Sequence, residues 1–91
     1  MINNSHKKVI GILGGMGPLA TADIFKKICL SVDAARDSDH PRVCIDSNSA
    51  IPDRTAAIIA DGEDPLPEMI KSAERLYSIG ADFLLMPCNT A

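Results

Sequence analysis

Lys8-Val-Ile-Gly-Ile-Leu-Gly-Gly-Met-Gly-Pro18 is the stretch that decides the fold. Its first half is an almost continuous run of Val, Ile and Leu, which is typical of a parallel strand covered on both faces. Gly14, Gly15 and Gly17 then break the run, and Pro18 suits the first position of a helix because its missing N–H would have no intrahelical partner there. The stretch therefore predicts a strand over 8–13, a tight turn and a helix.

The pattern after the turn alternates between helical and strand spacing. The helix from Pro18 has an apolar stripe formed by Ala22, Phe25, Cys29 and Val32, with Ile24 and Ile28 beside it. A loop over 33–41 leads to a second strand over 42–46, and a third strand covers 83–86. These segments predict a chain that alternates strands with helices.

Two helices are predicted between the second and third strands. Asp53 suits the cap of a short helix over 54–60, after a loop over 47–52. Asp64 and Pro65 begin a longer helix, which Gly80 ends. Its predicted apolar face consists of Leu66, Met69, Ile70, Ala73, Leu76 and Tyr77.

The order strand, helix, strand, helix, strand predicts an α/β fold, a three-layer sandwich around a parallel sheet with right-handed crossovers. Residues 1–7 form a polar tail, and 8–91 form a single domain. Parallel sheets bind ligands at the carboxyl ends of their strands. Residues 14–18, 47–55 and 87–91 should therefore meet at one edge, which we call the rim.

Composition narrows the function classes. The 91 residues are 46% hydrophobic and 23% charged, with a net charge of −3 and no basic run beyond Lys7-Lys8. A nucleic-acid or membrane-surface partner is therefore not expected. No apolar run approaches the about 20 residues of a membrane span, and none resembles a signal peptide, so we expect a cytoplasmic protein. The three cysteines are too scattered for a disulfide frame and should be free thiols.

Cys88 is the strongest candidate for chemistry. It follows the third strand, where a subsequent helix would offer backbone N–H groups and a positive dipole end that favour the thiolate. Asn89 and Thr90 would supply hydrogen bonds beside it. The alternative is a small buried hydrophobic residue, the interpretation that we prefer for Cys29 and Cys44.

Other rim residues allow more than one interpretation. The guanidinium of Arg54 would bind a carboxylate or remain solvated, and Thr55 would cap a helix or bind a ligand. Gly15-Met16-Gly17-Pro18-Leu19-Ala20 also fits a permissive dinucleotide fingerprint, with Asp46 as the ribose-binding acid. His6 and His40 lack metal-ligand spacing, so no metal site is predicted.

Three rim motifs together resemble the aspartate/glutamate racemase family, and within it the aspartate racemases. They are Gly-Ile-Leu-Gly-Gly-Met-Gly-Pro-Leu-Ala-Thr-Ala-Asp at 11–23, Ile-Pro-Asp-Arg-Thr at 51–55, and Gly-Ala-Asp-Phe-Leu-Leu-Met-Pro-Cys-Asn-Thr-Ala at 80–91. The resemblance covers nearly the whole chain from Lys8. Three motifs in order are more specific than any one of them.

The resemblance implies a racemase that uses two cysteines and no pyridoxal phosphate or other cofactor. One thiolate removes the α-proton of an amino acid, and a second thiol returns a proton to the opposite face. Cys88 matches the first cysteine, while Asn89 and Thr90 match residues around the substrate's amino and carboxylate groups. Met16 and Arg54 match the substrate-binding glycine loop and a carboxylate-binding arginine.

Family members are longer, with two similar α/β domains, and the second cysteine belongs to the half that this chain lacks. The resemblance therefore implies the N-terminal half of a racemase, inactive without its C-terminal half-domain. Its substrate would be aspartate or glutamate, a choice left open together with a homodimer. Two alternatives remain: a non-catalytic domain that binds an acidic ligand, and a dinucleotide-binding module.

Overall fold

The computed structural model describes residues 7–53 and 62–87. In these residues the elements follow the order β1 (Val9–Gly14), α1 (Pro18–Ser31), a 3-10 turn (Asp37–Asp39), β2 (Arg42–Ser47), α2 (Leu66–Ser78) and β3 (Phe83–Leu85). The predicted α/β class and the alternation of strands and helices are confirmed. The predicted short helix over 54–60 lies outside the described residues.

The three strands form one parallel sheet in the order β2-β1-β3. Gly14 lies opposite Ser47 on β2, and Ile12 lies opposite Leu85 on β3. β1 is central, and the Ile12 side chain is fully buried. Because β2 and β3 flank β1 on opposite sides, right-handed crossovers place α1 and α2 on opposite faces of the sheet. The carboxyl ends of all three strands consequently point to the same edge.

The α2 face of the sheet holds the main apolar core. Its buried residues are Leu13, Ile51, Leu76 and Ala81. The predicted apolar face of α2 was wrong in part, because Leu66, Ile70 and Tyr77 are exposed whereas Ser72 is completely buried. A serine can take this central position because its hydroxyl has a hydrogen-bond partner on the loop after β2.

The packing of α1 against its face of the sheet differs from that of α2. Thr21 is the buried residue of α1, whereas Ala22, which we expected in the apolar stripe, is exposed. Ile24 and Ile28 are half-buried, so the stripe is centred one residue earlier than predicted. The cause is the Thr21 hydroxyl, which bonds to the glycine turn and sets the rotation of the helix.

The predicted ends of α2 are confirmed. The Leu66 N–H donates to Asp64 Oδ1 at 3.0 Å, so Asp64 caps the helix, although the first helical residue is Leu66 rather than Pro65. Gly80 ends the segment with φ of +106°, a left-handed conformation that glycine adopts without strain. Neither α1 nor α2 is long and apolar enough to cross a membrane.

Candidate functional site at the rim

The glycine turn after β1 is folded onto the first turn of α1 by Thr21. The Gly15 N–H donates to Thr21 Oγ1 at 2.9 Å, and the same hydroxyl donates to the Gly17 carbonyl at 3.1 Å. Thr21 is 3% exposed, and a Cβ on Gly14 would overlap its side chain. The turn therefore has a fixed shape that depends on close approach of a side chain to the backbone.

The loop after β2 supports the turn from the other side. The Asn48 N–H donates to the Gly14 carbonyl at 3.0 Å. Gly15 has φ of +103°, and a Cβ there would overlap the backbone of Asn48. Because Gly14 and Gly15 have no side chains, Thr21 and Asn48 can pack closely against the turn.

The Asn48 side chain joins this loop to α2. Its Nδ2 donates to Ser72 Oγ at 2.8 Å and to Glu68 Oε1 at 3.2 Å, and its Oδ1 accepts from the Ala50 N–H at 3.0 Å. Asn48 is 8% exposed, so these bonds replace the water that it loses on burial. One amide therefore connects the carboxyl end of the sheet to the first half of α2.

Ile51, three residues after Asn48, is also fixed in position. The Ile51 N–H donates to the Asn48 carbonyl at 3.4 Å, and the Ile51 side chain is buried in the core. Pro52 and Asp53 follow at the rim and are the last described residues before Gly62. The first residue of the Ile-Pro-Asp-Arg-Thr motif is thus fixed by packing.

The amino end of α1 gives the rim a positive electrostatic character. Gly17 is the N-cap, and it has no side chain with which to satisfy the first-turn N–H groups. The first turn contains no acidic residue. Free backbone N–H groups and the helix dipole together favour an anionic ligand at this end.

The structure weakens the dinucleotide interpretation. Asp46, proposed to bind a ribose, lies on the α2 face with Oδ2 3.5 Å from Arg75 Nη1. The closest glycine approaches are to Thr21 and Asn48, so they have an explanation without a pyrophosphate. Among residues 7–53 and 62–87, no three His, Cys, Asp or Glu side chains are grouped to hold a metal ion.

The structure places one of the six predicted site residues. Met16 lies in the glycine turn at the rim, half-buried, with its side chain packed against the apolar core. Pro87, buried, follows β3 and directly precedes Cys88. The other predicted site residues, Arg54, Thr55, Cys88, Asn89 and Thr90, lie outside the described residues.

The two other cysteines lie away from the rim and are free thiols. Cys44 is half-buried against the core, and its Sγ lies 3.7 Å from the Ile10 carbonyl as a weak donor. Cys29 lines an apolar cavity of about 250 Å³ near the amino end of β2, with Phe25 and His40. Both environments agree with a packing role.

The sequence pattern did not predict the role of three polar residues that shape the rim, namely Thr21, Asn48 and Ser72. An Asn directly after a strand is a common turn former, which was the available signal for Asn48. Thr21 and Ser72 are polar residues on the apolar sides of their helices. Such a residue indicates a buried hydrogen bond only when its bonding partner is known.

The structure defines the chain as a parallel α/β domain, the class of fold in which small molecules commonly bind at the strand ends. Comparison with known proteins identifies the family. The family model described as Asp/Glu/Hydantoin racemase matches residues 13–91, and the chain belongs to this family.

Two relatives illustrate the similarity. The chain is 35% identical over 89 residues to the broad specificity amino-acid racemase RacX of Bacillus subtilis (strain 168), covering 91% of this chain and 37% of that protein. The structure of Picrophilus torridus aspartate racemase matches with a TM-score of 0.84 and 40% identity, over 92% of this chain and 36% of that one. The chain thus spans little more than a third of the length of these relatives.

Proposed function

We propose that this chain supplies one part of the active site of an amino-acid racemase, an isomerase of the aspartate/glutamate type. One observation carries the proposal: in a member of this family, the parallel register brings the glycine turn and the exit of β3 to the same edge. Ile12 lies opposite Leu85, so Gly14 and Pro87 are each two residues beyond a paired position. Cys88, the next residue after Pro87, would then lie beside the glycine turn.

The proposed reaction uses two thiols and no cofactor. The Cys88 thiolate takes the α-proton of the amino acid, which leaves a carbanionic intermediate and a neutral thiol. A second cysteine, from residues outside this chain, donates its proton to the opposite face of the α-carbon and becomes a thiolate. The reverse direction exchanges the two roles, as a racemisation requires.

The rim residues would stabilise the intermediate. An α-proton beside a carboxylate is a weak acid, so fixed hydrogen-bond donors contribute more than a strong base. The first-turn N–H groups of α1 are donors of this kind. Asn89 and Thr90 would hold the amino and carboxylate groups, Met16 and Thr55 would line the site, and Arg54 would bind a carboxylate.

We propose an acidic amino acid as the substrate. The name of the Picrophilus torridus relative specifies aspartate, whereas the Bacillus subtilis relative is described as having broad specificity. Because the chain covers about a third of either relative, it would contribute one thiol and part of the pocket. The remainder, a C-terminal half-domain, would complete the site, and the 91 residues alone would be inactive.

The test is deuterium incorporation at the α-carbon of aspartate, glutamate and neutral amino acids in D₂O, with the full-length protein. Replacement of Cys88 by serine should slow exchange by about 10²- to 10⁴-fold, the typical contribution of a positioned general base. The matched control is Cys29→Ser, which alters a thiol beside the apolar cavity and should leave the rate unchanged.

Two results would overturn the proposal. One is a wild-type protein that exchanges no amino acid, and the other is a Cys88→Ser variant that exchanges at the wild-type rate. Calorimetry with aspartate, glutamate and succinate then separates a non-catalytic binding domain from a protein that binds none of them.

A further inference from the structure

We infer that Asn48 is a positioning residue for ligand binding, which acts through the glycine turn and its own turn at 48–51. The inference rests on the proposed function, because it concerns the affinity of the same rim for its substrate. Asn48 belongs to the rim segment at 47–55 and is almost fully buried. It belongs to none of the three motifs that carry the family resemblance.

The Asn48 bonds form a chain of contacts across three elements. Its backbone N–H holds the Gly14 carbonyl, and its Oδ1 and carbonyl hold the N–H groups of Ala50 and Ile51. Its Nδ2 bonds to Ser72 and Glu68 on α2. One residue therefore links the two rim turns: its backbone bonds to the glycine turn, and its side chain is held in place by α2.

The orientation of the amide is fixed by chemistry as well as by shape. The Glu68 carboxylate, when ionised, accepts hydrogen bonds only, so the nitrogen of the Asn48 amide must face it. The Ala50 N–H donates only, so the amide oxygen must face that side. An aspartate at position 48 would still accept the bond from the Ala50 N–H. It would have no donor for Glu68, so two hydrogen-bond acceptors would face each other.

The arrangement predicts an effect on binding rather than on proton transfer. Asn48 lies just beyond β2, whereas Pro87, directly before Cys88, follows β3 on the far side of β1. None of the hydrogen bonds that tie Asn48 to other residues reaches β3 within the described ranges. A change at Asn48 should therefore alter KM for the amino acid while kcat stays nearly constant.

The test is a set of four variants of the full-length protein, measured by α-deuterium exchange. Asn48→Asp should raise KM by about tenfold and change kcat by less than about threefold, because it replaces the bond donated to Glu68 with a contact between two acceptors. The double variant N48D/E68Q should return KM to within about threefold of wild type, since the introduced amide can donate to the introduced carboxylate. It also restores the original net charge.

Two further variants serve as controls. Ser49→Asp adds the same charge at the neighbouring exposed residue, so its KM should rise clearly less than that of N48D if bonding rather than charge is the cause. Glu68→Gln alone should change KM little, because the amide oxygen of glutamine still accepts the bond from Asn48. Melting temperatures of all four variants separate folding losses from site effects.

Equal KM values for wild type and N48D, a loss in N48D that the double variant does not recover, or an equal rise in the Ser49 variant would overturn the inference. If the wild type exchanges no amino acid, the proposed function fails, and titration of the Gly15 and Ile51 amide NMR signals with aspartate decides the inference. Weaker binding in N48D and recovery in N48D/E68Q support it. Absence of aspartate binding by the wild type overturns it together with the function.

Discussion

The two helices are attached to the sheet in different ways. On the α2 face, Leu76 is 1% exposed and packs with Leu13, Ile51 and Ala81 along the sheet. On the α1 face, Thr21 is buried while Leu19 and Leu30 are 86% and 74% exposed. α2 is thus held by an apolar core along its length, whereas α1 is held at its amino end by a hydroxyl.

This difference shows which parts of the fold set the rim. Thr21 of α1 bonds to the glycine turn directly, whereas α2 is connected to it through Asn48. The Asn48 side chain bonds to Ser72, and its backbone N–H bonds to Gly14. Within the part of the chain that the structure describes, the buried apolar cluster supports the α2 linkage. The geometry of the rim should therefore depend most strongly on α2 and the residues beneath it.

Leu76→Ala should have the largest effect on stability. It removes a fully buried side chain from the α2 core, which costs about 2–5 kcal/mol in the free energy of unfolding. Leu66→Ala on the same helix is the matched control, because Leu66 is 54% exposed. Urea unfolding followed by far-UV circular dichroism suits a chain without tryptophan. Equal losses for both variants would contradict the packing described for α2.

Gly15→Ala should follow, since Gly15 has a positive φ and no room for a Cβ against Asn48. Backbone strain and overpacking together should cost about 2–4 kcal/mol. Gly17→Ala provides the comparison, because a Cβ at Gly17 would meet open space and the cost should stay below about 1 kcal/mol. If the two alanine variants unfold at the same urea concentration, the close contact between the turn and Asn48 is refuted.

Thr21→Val tests the attachment of α1. It keeps the volume of the side chain and leaves the Gly15 N–H without its acceptor, which should cost about 1–2 kcal/mol. Thr21→Ser retains the hydroxyl and should recover the larger part of this loss. Amide hydrogen exchange at Gly15 provides the local measurement, and it should accelerate in the valine variant alone.

The sequence was sufficient for the parts of the fold that depend on local pattern. The apolar run of β1, the glycine turn, the Asp64 cap and the Gly80 end each follow from residue type and spacing. The rotations of α1 and α2 did not. Thr21 bonds to Gly15 and Gly17 in the turn just before it, a pairing that residue type alone does not indicate. Ser72 bonds to a residue that is distant in sequence. Asn48 and Ser72 are 24 residues apart, and a single sequence does not contain their pairing.

The exposed residues of α1 provide the smallest expected effect and the sharpest test of the contrast between the faces. Leu19→Gln and Leu30→Gln should each change the free energy of unfolding by less than about 0.5 kcal/mol, because little apolar surface is lost from the core. Thr21→Val serves as the positive control on the same helix. A loss above about 1.5 kcal/mol in either glutamine variant would mean that these leucines are covered in the protein as it folds, since burial of a leucine contributes about 1.5–3 kcal/mol. In that case α1 also has a packed face, and the rim depends on both helices equally.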